Sequence, residues 1–159
     1  MQFGLECITQ ALLLISVLSE ITEKEKHSLL GLHNQAREKA RLGNIPGQPA
    51  AIRMPVMVWD DKLAQKAETW SNKCTVGHDS MSDRADPRWS WVGQNFAAVD
   101  QSNCEFDQSM TNMNLFSVCY LFTVQIIWAD STSLGCGVTN CPRSTFPYGK
   151  SIVCNYGPG

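Results

Sequence analysis

Six of the seven cysteines in this 159-residue chain lie between positions 74 and 154, and they constrain its fold more than any other feature. Cys7 sits in an amino-terminal apolar stretch, which leaves Cys74, Cys104, Cys119, Cys136, Cys141 and Cys154 as an even set. An even count with no C-x-x-C pair and no His ladder argues for disulfides in an oxidising compartment rather than for zinc, and leaves the connectivity open. The start of the chain agrees with export. An apolar run around Ile8 to Leu18 precedes Ser19, with Val17 two positions earlier, the pattern of a signal peptide covering residues 1–19. A buried first helix is the competing reading, because Glu6 precedes the run and no Lys or Arg does. The run falls short of the roughly 20 apolar residues a bilayer crossing needs, so no integral membrane association is expected.

The remaining residues, 20–159, suit a single domain. With 13 basic against 15 acidic residues and no basic cluster, no nucleic-acid partner is expected. Two segments have helical period. In TEKEKHSLLGLHNQAREKARLG, Thr22 and Glu25 have capping-box spacing, Leu29, Leu32, Ala36 and Ala40 recur about once per turn, and Gly43 is placed to end the helix. In WDDKLAQKAETWSNKC, Asp60 is a natural N-cap, and Leu63, Ala64, Ala67, Trp70, Ser71 and Cys74 share a face that carries Cys74 towards the core. The Pro- and Gly-rich GNIPGQPAAIRMPV between them is a surface connection. SLGCGV and KSIVCNYG, around the turn PRSTFPYG, form a β-hairpin pattern. Helices early and strands late predict an α+β domain.

HNQAR at 33–37, MVWDDKLAQKAETWSNKC at 57–74, VGQN at 92–95, QIIWADSTSLGCGV at 125–138 and VCNYGPG at 153–159 resemble, in order, the signatures of the CAP superfamily of cysteine-rich secretory, antigen 5 and pathogenesis-related 1 proteins. VGHDS, VGQN and the FPYGKSIVCNYGPG ending are most similar to venom-allergen-like proteins of parasitic flukes. The resemblance implies an α-β-α sandwich with a central antiparallel sheet. It also implies that Cys74 pairs with Cys141 and Cys136 with Cys154, leaving Cys104 and Cys119 as a third pair.

Family members with a complete cleft hold a divalent metal on two His and two Glu. By resemblance His78 is the retained His, and Gln94 stands where the family has Glu. The family's C-G-H-Y-T-Q-V-V-W reads CYLFTVQIIW here, so that Leu121 (or Phe122, counting rigidly back from Trp128) takes the place of the second His. Glu105 is the one offer for the second Glu, and nothing around it resembles the family's helix. His78 and Gln94 are therefore cleft-wall candidates, with no metal, no other cofactor and no catalytic residue expected. His27 and His33 read as solvent-facing or helix-packing side chains. No G-x-S-x-G accompanies the many serines.

Residues 100–124 are atypical for the family, and the roughly two dozen residues between Asn95 and Cys119 are about half the number the resemblance implies, consistent either with divergence or with a retained intron or mis-joined exon. CNYGPG normally continues, so the domain is expected to be incomplete at its carboxyl end. The implied protein is secreted, extracellular and not an enzyme. The resemblance makes a sterol or fatty acid its candidate ligand and host or extracellular proteins its candidate partners, and leaves its oligomeric state open. A metal-dependent hydrolase, a structural protein and a non-functional splice variant are the alternatives.

Overall fold

The structure is a computed structural model that describes residues 21–100 and 123–159. The expected leader, Cys104, Glu105, Cys119, Leu121 and Phe122 fall outside the described residues. The elements in chain order are α1 (Glu23–Arg41), β1 (Val58–Trp59), α2 (Asp61–Ser71), α3 (Met81–Arg84), β2 (Gly93–Asp100), α4 (Thr123–Ile126), β3 (Ser133–Asn140) and β4 (Gly149–Gly157). The sheet runs β1-β3-β4-β2. Its three long strands are antiparallel, and the two-residue β1 joins β3 in parallel at one edge.

Both long helices start where their caps predict. Thr22 and Glu25 form a reciprocal capping box on α1, and the Asp60 side chain accepts the Leu63 N–H at the start of α2. Gly43, at φ 70°, takes the left-handed position just past the Leu42 C-cap. The buried stripe of α1 differs from the apolar one. Leu29, His33, Arg37 and Ala40 are buried, while Leu32 and Ala36 are half-buried. Two polar side chains enter the core because their heads find partners there, a pairing that apolar periodicity does not register. Helix α2 stops at Ser71, so Cys74 lies beyond it, half-buried in a turn at φ 49° rather than on the helical face.

Side-chain alternation in β3 separates the two faces of the sheet. Leu134, Cys136 and Val138 point to one side, where they form the main core with Ile152, Cys154 and Tyr156 of β4, Leu29 of α1, Met57 and Val99. Gly135 and Gly137 point to the other, where α2 lies directly on the strand. A Cβ at Gly135 would stand 2.1 Å from Ala64 N, and one at Gly137 2.3 Å from Glu68 Cα. With α1 on one face and α2 on the other, the domain is an α-β-α sandwich. Because the obstructing atoms are backbone, Gly135→Ala is expected to cost about 1–3 kcal/mol in urea denaturation, by prying α2 off the sheet. An unchanged midpoint would contradict this close approach.

Two disulfides join described residues: Cys74 to Cys141, tying the turn after α2 to the end of β3, and Cys136 to Cys154, directly opposite on β3 and β4. Buried Arg37 fastens three segments at once. Its Nε donates to the Pro55 carbonyl at 2.7 Å, and its Nη1 donates to the carbonyls of Ile126 and Trp128, each at 2.8 Å. The QIIW segment thus docks through its backbone, while the Gln125 side chain packs against Gly93 and donates to Ser131 Oγ at 2.9 Å.

Candidate functional site

Neighbouring residues of the VGQN stretch serve opposite faces of the sheet, because β2 alternates like any strand. Gln94 is in register with Asn155 and shares its face, the side covered by α2; Asn95 is in register with Cys154 and faces the α1 side. Each is the centre of a polar chain.

On the α2 side, Gln94 Oε1 accepts the Asp79 backbone N–H at 3.3 Å and lies 2.9 Å from His78 Nδ1. Its Nε2 donates to Asn155 Oδ1 at 3.0 Å, and Asn155 Nδ2 donates to the Leu63 carbonyl of α2 at 3.3 Å. The two ends fix the direction of this chain. A backbone N–H at one end demands an oxygen from Gln94, and a backbone carbonyl at the other demands a nitrogen from Asn155. The contact between the amides then runs from nitrogen to oxygen. His78, on an exposed ring, therefore donates from Nδ1.

On the α1 side, His33 Nδ1 donates to the Leu29 carbonyl at 2.7 Å, so Nε2 accepts from the Tyr156 hydroxyl at 2.8 Å. Asn95 Nδ2 donates to the same hydroxyl oxygen at 2.9 Å. Burial lowers the His33 pKa from 6.5 to about 4, with the Arg37 charge one turn away lowering it further and the Leu29 carbonyl opposing. Burial raises the Tyr156 phenol, with Asn95 opposing. His33 and Tyr156 form a structural pair enclosed by their own partners. Sequence reasoning left His33 as a solvent-facing or helix-packing side chain and had no signal for its partner, 123 residues away.

Sequence reasoning also missed a ring of charge around the start of α2. Arg88 bonds Asp60 and Asp86, and its guanidinium lies 4.2 Å from the Trp89 ring centroid. These contacts hold the Asp86 carboxyl well below its ordinary range and the Arg88 guanidinium above its own. Arg84 pairs with Asp79, both nearly buried, and also donates to the Val92 carbonyl at 3.0 Å.

The structure brings His78 and Gln94 together, and the residues around them do not fit a divalent cation. Gln94 presents an amide committed at both ends, His78 Nδ1 is already used, and no three His, Cys, Asp or Glu side chains converge among the described residues. The chain can pass hydrogen bonds from one element to the next, but it brings no negative charge to a metal or to a proton-transfer step.

The family profile of cysteine-rich secretory proteins, CAP, matches residues 30–120, a range that runs through most of the atypical segment. Venom allergen 5.01 of Dolichovespula maculata is 31% identical over 163 aligned positions, covering 87% of this chain and 69% of that protein. Venom allergen 5 of Rhynchium brunneum is 33% identical, covering 86% and 69%. An alignment of 163 positions is longer than the whole 159-residue chain, so it opens gaps where the relative carries residues this chain lacks. Among solved structures, NaASP2 with Zn2+ superposes with a TM-score of 0.67 at 21% identity, over 88% of this chain and 82% of that one. Venom allergen-like protein 4 of Schistosoma mansoni gives 0.64 at 24%, over 87% and 90%. The profile match, the venom allergen relatives and the shared sandwich agree: the chain belongs to the cysteine-rich secretory protein family, CAP.

Proposed function

We propose that this chain is a secreted, venom-allergen-like CAP-domain protein that acts by binding and not by catalysis. What it holds is a small apolar ligand, of the sterol or fatty-acid kind, or an extracellular or host protein. The observation that carries this reading is the amide at position 94: the polar chain His78, Gln94, Asn155 and Leu63 has neither a carboxylate base nor a set of metal donors. Export is supported by the apolar stretch before Ser19 and by two disulfides. An apolar ligand or partner is supported by exposed Ile52, Val56, Val124 and Trp128, on the two segments that Arg37 and the Arg53–Asp130 pair hold together.

The test pairs lipid loading with metal titration. Purified protein is expected to retain labelled cholesterol or palmitate saturably and to show no stoichiometric zinc by calorimetry. Zinc binding at one equivalent, together with a hydrolytic activity lost on chelation, would replace this reading with the metal-dependent hydrolase. If neither lipid nor protein is captured, the structural protein takes its place.

Gln94→Glu provides a sharper check. One carboxylate oxygen satisfies His78 and Asp79, but the other then faces Asn155 Oδ1, and Asn155 cannot turn over without aiming Oδ1 at the Leu63 carbonyl. The variant is expected to lose about 1–3 kcal/mol at neutral pH in urea denaturation and to gain no stoichiometric zinc. Tight zinc binding by this single variant would show that the amide alone had withheld the metal.

The gaps in the alignment with Dolichovespula maculata venom allergen 5.01 leave room for a second reading of the gene, in which residues 100–124 replace a longer family segment. Sequencing transcripts from the natural source decides it, because repeated recovery of SMTNMNLFSVCYLFTV would establish genuine divergence.

A further inference from the structure

On the outer side of α2, bordering the polar chain at Gln94 through Asp79, lies an open groove of about 460 Å³. Its α2 wall follows helical spacing, with Lys66, Thr69, Trp70 and Lys73 on one face and Gln65 beside them. Its opposite wall holds Asp79 and Asp83. The half-buried Trp70 ring is fixed by its Nε1–H, which donates to the Gly77 carbonyl at 2.8 Å, and Lys73 Nζ lies 4.9 Å from the ring centroid.

The charges in the groove do not cancel. Asp79 is neutralised by Arg84 at 2.5 Å, with their side chains 3% and 9% exposed, so it adds no net field. Lys66 Nζ donates to the Asp83 backbone carbonyl at 3.2 Å, a contact that leaves its charge uncompensated. Two ammonium groups therefore face one open carboxylate, an excess of one positive charge. A fixed aromatic face, exposed amide and hydroxyl groups and a carboxylate acceptor match a sugar ring, whose C–H face packs on indole while its hydroxyls donate and accept. The single excess charge matches one carboxylate. A polyphosphate or a heavily sulfated chain would meet Asp83 unfavourably.

We propose that the groove between α2 and α3 is a binding site for a saccharide bearing one carboxylate. The site is built on α2, Asp79 and Asp83 and does not depend on the apolar ligand proposed above.

The indole N–H resonances of the full chain report the test, with the Trp70 peak assigned by its loss in Trp70→Phe. Sialyllactose is expected to shift that peak saturably, with its carboxyl methyl ester, the uncharged counterpart, binding about threefold more weakly, as one exposed ion pair predicts. Lys73→Gln, an exposed change, is expected to bring sialyllactose down to the level of its methyl ester. Silence of the Trp70 peak with both sugars at their solubility limit overturns the proposal. So does an equal shift by acetate alone, which would mean an anion site without sugar recognition, or tighter binding of ATP, which would mean a nucleotide site. Unchanged sialyllactose binding in Lys73→Gln overturns the assignment of the charge.

Discussion

Replacing Cys74 and Cys141 together by serine is expected to lower the unfolding free energy by about 4 kcal/mol. The bridge spans 67 residues, and releasing a loop of that length returns this much chain entropy to the unfolded state. An ordinary domain has about 5–15 kcal/mol in all, so a loss of this size takes a quarter or more of it. Urea denaturation of the oxidised wild type and the double variant measures the difference directly. A loss below about 1 kcal/mol would mean that the unfolded chain is already compact around this contact. The Cys136–Cys154 bridge makes a less clean test. It closes only 18 residues, and its sulfurs lie inside the main core, so removing them mixes loop entropy with a packing defect.

Acid is expected to weaken the fold through His33. Its folded pKa of about 4 lies below the ordinary 6.5, so the unfolded chain takes up the proton first as the pH falls. The stability contributed by the neutral ring is complete above pH 6.5 and is lost progressively down to pH 4, with a total of about 3 kcal/mol. The loss has a structural cause. A protonated ring has no lone pair for the Tyr156 hydroxyl, and its charge would sit near that of Arg37 in the core. Asp60 and Asp86, both lowered by Arg88, lose their contribution only below their ordinary 3.8, outside this window. Denaturation midpoints from pH 7 to pH 4 are expected to slope downward in the wild type and to flatten in His33→Gln. Equal slopes would assign the acid sensitivity to other groups.

The helices were legible because their signals are local. Thr22 with Glu25 and Asp60 with Leu63 are contacts between residues three apart, and the stripes of α1 and α2 repeat within a few turns. The hairpin of β3 and β4 was legible for the same reason. Strand β2 was not, since its residues from Gln94 to Ala98 are all half-buried at the sheet edge and show no alternation to read. At the candidate site, resemblance supplied the identities of His78 and Gln94, but not the closure of their chain through Asn155 onto Leu63. That closure is a product of register, with Gln94 opposite Asn155, and register is set by the whole sheet. The burial of Arg37 has no sequence signal either, because its acceptors are backbone carbonyls and leave no side-chain trace in the sequence.

The sheet is completed in an unusual order of assembly. Among the described residues, β4 lies between β3 and β2 although it follows both in sequence, so during synthesis neither meets its long antiparallel neighbour until residues 149–157 emerge. The ribosome thus releases residues 149–157 before the core can close. Two strand edges remain open to other chains throughout that interval. A chaperone that shields such edges would matter most in the moments after release, and a ribosome that stalled a few codons before Gly149 would leave a product that aggregates rather than one that folds slowly.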